Sequence, residues 1–344
     1  MSPPNRFHPG LVSIVIPAFN QPQYLRRALQ SIIEQSYRPI EVIVSDDASP
    51  KSLKPTVDEF RPYEDARLCF RFHRFETNQG MVENFHYGVS QAQGKYLLPM
   101  PHDNRFLYRD FLSEAVRRLQ MTGSCFLCYA NAIYERSGRP ALHFPPSISF
   151  EDDWTILEGN RFISLYGNRG IGWSQVILMD HSAAILQGAF KEPFAVTGRL
   201  ARELGIAQDD AFSYVLLLSA AGTVAIYRGF ACEIGEPPES YSRFDFHWRA
   251  TRRKTTFVNF YNIARADLRG PHAITVKRQA ARLAYRYIDS ILDQRIGRYY
   301  RWEPVILALM VLGFFRAIGR NARYRWKRFV NALRPGTFRK VTPE

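Results

Sequence analysis

The chain has 344 residues, of which 46% are hydrophobic and 23% charged, a composition that excludes a fibrous or disordered polymer and allows one large core with or without an appendage. Four cysteines in this length exclude a disulfide scaffold. The net charge of +14 is uneven, with 24 Lys/Arg against 27 Asp/Glu in 1–248 and 22 against 5 from Arg249 onward, so a near-neutral enzyme-sized region is followed by a basic one suited to an anionic surface, membrane or nucleic acid.

Residues 1–10 carry no apolar h-region and read as a short disordered leader, so a reducing, cytoplasmic setting is expected. Residues 11–16 form an apolar, β-branched run, the pattern of a strand covered on both faces, and Pro17 stops it. Across 23–35 the apolar residues Tyr24, Leu25, Ala28, Leu29, Ile32 and Ile33 recur at helical spacing. Pro39 closes that unit, and 40–44 repeats the strand pattern before the turn formers of 45–50. Strand, helix and strand make a βαβ unit with a right-handed parallel crossover. Further on, 68–72 predicts a third strand, 82–92 a helix and 96–100 a fourth strand.

In such sheets ligands gather at the carboxyl ends of the strands. The polar residues at those ends are Asn20, Asp46 with Asp47, and His102, Asp103 and Asn104, so these groups are expected to share one crevice. A fixed carboxylate such as Asp46 can accept from the N3–H of a uracil ring. A nucleotide's diphosphate asks for backbone amides and a divalent cation, Mg²⁺ or Mn²⁺, which takes only one or two oxygens from the protein. An Asp-Asp pair in a loop is also the ordinary material of a turn or helix cap.

Cys125 and Cys128 form a C-x-x-C inside an apolar run with no second pair, the setting of buried structural thiols. Near the end, 304–315 is apolar without interruption, opening on Pro304 as a helix start. Twelve residues of helix rise about 18 Å, short of the roughly 30 Å hydrocarbon core. Around it stand Tyr299, Tyr300, Trp302, Tyr324 and Trp326 with Arg298, Arg301, Arg316, Arg320, Arg323, Arg325, Lys327 and Arg328. That mixture fits an interfacial anchor on an anionic leaflet, and the alternative is a buried helix with a solvated basic face. No nucleic-acid-binding motif is present, so nucleic acid is not expected as a partner.

The motifs in order resemble glycosyltransferase family 2. Its opening pattern is met by residues 13–20 and then by Leu25, Ala28, Leu29, Ser31, Ile32, Gln35 and Ser36. Its E-x-x-x-x-D-D-x-S pattern is met by 41–49, and its N-x-G…N…G…Y pattern by Asn78, Gly80, Asn84, Gly88, Val89, Ala92, Gly94 and Tyr96. The resemblance implies a GT-A fold, an α/β mixed sheet of Rossmann-like nucleotide-binding character flanked by helices, here with a basic C-terminal helical appendage. It implies that Pro17, Ala18, Phe19 and Asn20 line the nucleoside pocket, that Asp46 contacts the base, and that Asp47 supports the loop. Asn78, Gly80, Asn84 and His102 join that nucleotide-binding set. The family's D-x-D falls on Pro101, His102 and Asp103, so Asp103 is the expected metal ligand, with Asn104 a possible second, and Pro101 replaces the first Asp. In the second half, Asp209 and Asp210 match the family's acidic pair at a helix start, which gives Asp210 the role of catalytic base and Asp209 that of its orienting neighbour. An acidic pair at that place also caps a helix. Trp173 is an acceptor-side candidate, and the family's late His is absent, with Arg228 or His247 as substitutes.

The expected organisation is a leader over 1–10, a catalytic domain over 11–235 with donor half 11–110 and acceptor half 111–235, a helical extension over 236–300 and a membrane-associated basic tail over 301–344. The expected partners are a nucleotide-sugar donor, a glycan or lipid-linked acceptor and, through the tail, an anionic membrane at the inner face of the cell membrane. A relative that binds nucleotide sugars without turning them over is the alternative, motivated by Pro101 and the missing His.

Overall fold

The computed structural model describes residues 7–122, 125–167, 176–188, 216–237 and 257–286. Its centre is one mixed sheet. β1 (His8–Ala18), β2 (Ile40–Asp46), β3 (Leu68–Arg74) and β4 (Gly94–Pro99) run parallel in the order β3-β2-β1-β4. The sheet continues antiparallel from β4 into β8 (Val176–Asp180) and from β8 into β6 (Cys125–Tyr134), which pairs in parallel with β9 (Thr223–Ile234). The short β5 (Asn104–Phe106) pairs with the last third of β9, and β7 (Trp154–Glu158) with its first half.

Side chains alternate across a strand, so each interior strand feeds two cores. Val12, Ile14 and Ile16 of β1 face one cluster with Val42, Val44 and Leu98, and the intervening Val15, Ile43 and Leu97 face the other. α1 (Pro22–Ile33), α2 (Lys54–Asp58) and α4 (Phe111–Thr122) cover the first face. α3 (Met81–Gln91), α5 (Gly159–Gly167) and α6 (His181–Leu186) cover the second. The seat of α3 needs Gly88, because a Cβ there falls 2.4 Å from Val15 Cγ1 on β1.

Two further helices, over 257–265 and Ala273–Arg286, pack into the second core through Phe257, Phe260, Ile263, Val276 and Leu283. These segments, expected as an extension, thus complete the covering of the sheet. The turn between them is held by Gln187, whose amide accepts from Arg269 N at 2.9 Å and donates to its carbonyl, and by His272 Nε2 at 2.9 Å from Glu158 Oε2. Among the described residues no helix is long and apolar enough to cross a membrane. The 304–315 run and the rest of the expected tail lie outside them.

Candidate active site

The carboxyl edge of the parallel strands gathers the predicted groups. β1 ends at Ala18, β2 at Asp46, and the chain leaves β4 toward His102. Backbone and side-chain bonds tie the loops together: Asp47 N donates to Ala18 O at 2.9 Å, Asn20 N to Ser49 Oγ at 2.7 Å, and Asn84 Nδ2 to Ala18 O at 3.5 Å. Asn20, Gln21 and Ala48 have φ of 59°, 61° and 59°, and they are the only non-glycine residues with positive φ among the described residues. The left-handed region costs a residue with a Cβ about 1–2 kcal/mol, and such strain collects at functional loops held in place by their surroundings. Phe19 sits between these constraints with 45% of its surface exposed, a large apolar side chain at the edge of the crevice.

The adjacent carboxylates Asp46 and Asp47 are both buried, and each serves a different loop. Asp46 accepts from Ser49 N at 3.0 Å and from Leu53 N at 3.1 Å, with Arg74 Nε at 3.6 Å. Asp47 accepts from Gln79 N at 2.6 Å and Gly80 N at 2.9 Å, while its carbonyl accepts from Asn78 Nδ2 at 3.2 Å. Asp46, expected against the base, is buried and gives each carboxylate oxygen one backbone N–H of its own loop. Asp47 does support a loop as expected, but the loop is that of Asn78 and Gly80, at the start of α3.

On the third side, the His102 ring hydrogen-bonds the Pro17 carbonyl, which joins the loop after β4 to the end of β1. Burial lowers the His102 pKa, opposed by the neighbouring Asp103 and by that bond. Burial raises the Asp103 carboxyl, against the pull of His102, and Glu135 adds to the rise. Asn104 begins β5 with its side chain buried. The Asp103 carbonyl accepts from Gly235 N at 3.0 Å, and a Cβ on residue 235 would fall 2.1 Å from that oxygen, so only glycine lets β9 approach this loop.

An ionic network that the local sequence pattern does not announce braces the same loop. Glu233 of β9 holds Arg105 of β5 at 2.8 and 3.0 Å and Arg27 of α1 at 2.6 Å. Arg27 also reaches Glu135 at 2.6 Å, and Glu135 accepts from Glu236 N at 3.1 Å. Ser13 of the opening motif is likewise structural: its hydroxyl donates to the buried Glu41 at 2.5 Å and accepts from Gly94 N at 2.8 Å, so three motif residues form one brace under the sheet.

The family model for glycosyl transferase family 2 matches residues 13–194, more than half of the chain. The chain belongs to glycosyltransferase family 2. An uncharacterized glycosyltransferase of Rickettsia bellii is 35% identical over 100 residues, which is 29% of this chain and 14% of that protein. The GalNAc(5)-diNAcBac-PP-undecaprenol beta-1,3-glucosyltransferase of Campylobacter jejuni is 30% identical over 96 residues, 28% of this chain and 30% of the relative. The matches thus span less than a third of the length of these curated relatives. Residues 1–349 of TarS from S. aureus, solved with UDP, share the fold with a TM-score of 0.56 and 16% identity over 85% of this chain and 75% of that one. The same protein solved with UDP-GlcNAc gives 0.55 at 14% identity, over 88% and 79%. The expected GT-A fold is thereby shown.

The sequence resemblance implies a divalent cation at Asp103. No group of three His, Cys, Asp or Glu side chains able to hold a metal occurs among the described residues, and Pro101 supplies no oxygen where a first Asp would stand. Asp103 remains, a carboxyl whose charged form is disfavoured by burial and would be favoured by a cation. Mg²⁺ and Mn²⁺ need only one or two protein carboxylates when a diphosphate supplies the rest, so the residues present fit a cation that arrives with its nucleotide and not a metal-only cage. Asn104, the possible second ligand, is buried. Arg228 lies on an exposed stretch of β9 against Asp153 at 3.2 Å. Asp209, Asp210, Trp173 and His247 lie outside the described residues. Sequence reading gave no place to Arg74 or Gly235. A cation at the end of the third parallel strand was the one available signal for Arg74.

Proposed function

We propose that the chain transfers a sugar from a nucleotide sugar, UDP-linked, to a hydroxyl of a glycan or lipid-linked acceptor, with inversion at the anomeric carbon. The observation that carries this reading is the joining of three strand ends into one crevice by Asp47, Ser49, Asn84 and His102. Pro17, Ala18, Phe19 and Asn20 form the nucleoside wall, with the exposed Phe19 ring as the apolar surface beside the base. Asp46 serves that wall by fixing its loop, and Asp47 by presenting the loop of Asn78 and Gly80. Gly80 precedes α3 and makes no side-chain cap bond, so the positive end of the helix dipole would favour a diphosphate there.

Asp103 would hold a divalent cation arriving with the diphosphate, and such a cation would supply charge neutralisation at the leaving group. Asp210 takes the proton from the acceptor hydroxyl as that oxygen attacks, and Asp209 orients it. Trp173 lines the acceptor side. Acceptors of a surface polysaccharide or lipid-linked glycan suit a chain whose basic last third is drawn to the cytoplasmic face of a membrane, and the Campylobacter relative is named for an undecaprenol-linked substrate.

A thermal-shift screen of UDP-, GDP- and other nucleotide sugars, with and without Mn²⁺, tests the donor assignment. Stabilisation by a UDP-sugar that grows with Mn²⁺ supports it, and no shift with any nucleotide sugar contradicts it. Pro101 favours a second reading, a binding subunit without turnover. Saturable UDP-sugar binding with no release of UDP would select that reading.

A further inference from the structure

The helix Ala273–Arg286 buries Val276, Ala280, Leu283 and Ala284 against the sheet's second core. The opposite face is exposed at Ile274, Arg278, Ala281, Arg282 and Arg286, with Lys277 at its border. Four cations and no acid occur in these fourteen residues. Arg278, Arg282 and Arg286 follow one another at i, i+4 steps, a spacing at which like charges destabilise a helix. Lys277, Arg278 and Arg282 have no carboxylate within salt-bridge reach among the described residues. Ile274 leaves 67% of its surface in solvent at the end of the same face. Among the described residues, Lys277, Arg278 and Arg282 thus place charge without a carboxylate partner on a face that also exposes Ile274, at a cost to the helix itself.

We propose that this face is a docking surface for an anionic phospholipid bilayer, formed by the folded enzyme and separate from the basic segment beyond residue 300. Charge complementarity selects the occupant. Guanidinium and ammonium groups along one helical stripe meet a sheet of phosphates, and Ile274 enters the headgroup region. In sequence the stripe is followed by residues 287–344, where 12 further Lys/Arg meet 4 Asp/Glu, the same charge character. The inference rests on the membrane reading given under the proposed function but assigns it to different residues.

Sedimentation of the full chain with phosphatidylcholine vesicles, with and without phosphatidylglycerol, tests it. The variant K277Q/R278Q/R282Q is compared with R320Q/R323Q/R325Q. The helix variant is expected to lose on the order of a hundredfold in partitioning to the anionic vesicles, since each cation near the surface contributes about the same increment. Its thermal midpoint should hold or rise slightly as the like-charge spacing is relieved, and its nucleotide-induced thermal shift should stay unchanged, because these side chains bear on neither core nor crevice. Unchanged vesicle binding by the helix variant overturns the inference whatever the tail variant does. Loss in the tail variant alone leaves only the tail reading standing, and unchanged binding in the tail variant removes that reading instead. Binding to single-stranded RNA in preference to anionic vesicles overturns both.

Discussion

Asp103 is the residue where stability and function pull apart. Burial raises its carboxyl pKa above the unfolded value, so its favourable contribution is full below the unfolded pKa and is lost as pH rises through the folded one. Asp103→Asn removes the buried charge without changing the shape. Without nucleotide or metal, the variant is expected to melt higher than wild type at pH 7 by about 1–3 °C and to match it near pH 4. Its Mn²⁺-dependent nucleotide stabilisation should disappear. Calorimetric scans at the two pH values check the first part, and equal melting temperatures at pH 7 would count against the burial argument. Asp47→Ala leaves the buried amides of Gln79 and Gly80 without their acceptor, which should cost about 1–3 kcal/mol in denaturant unfolding and weaken UDP binding at least tenfold. The roles of the acidic pair illustrate what one sequence can and cannot give. Two adjacent aspartates at a strand end mark the crevice, but which loop each carboxylate holds depends on amides 3, 7, 32 and 33 positions away.

At the level of elements, the parallel half was legible because β1 and β2 are β-branched runs closed by Pro or turn formers, β3 and β4 are short runs of Leu and aromatic residues, and α1 and α3 carry a 3.6 period. The observed α1 and α3 lie within two residues of their predicted bounds. The second half was not, since β5 has three residues and its partner β9 stands more than a hundred positions later. The Arg27–Glu233 contact spans 206 positions, beyond any local pattern. That network is partly exposed, so Glu233→Gln should cost stability by no more than about 1 kcal/mol. Because it braces β5 and the loop before it, the same change should raise the donor KM severalfold. An unaltered KM with a large loss of stability would assign the network to folding alone. Gly88→Val tests the closest helix–sheet approach, where overpacking against Val15 should cost about 1–3 kcal/mol by urea titration.

For the molecule as a whole, the mixed sheet with helices on both faces makes a rigid floor, and the crevice is built where the parallel order ends in loops held by one another. The basic last third was legible as composition, yet its first two helices prove to be part of the second core, because their apolar residues recur at helical spacing beneath the basic face. The central claim is that this floor carries glycosyl transfer from a nucleotide sugar. Its most direct measurement is release of the nucleoside diphosphate from a panel of nucleotide sugars, by wild type and Asp210→Asn under the same Mn²⁺ concentration. The account predicts release from at least one UDP-sugar by wild type, and a rate at least about a hundredfold lower in the variant with donor binding retained. No release from any nucleotide sugar, or an equal rate in Asp210→Asn, would contradict it.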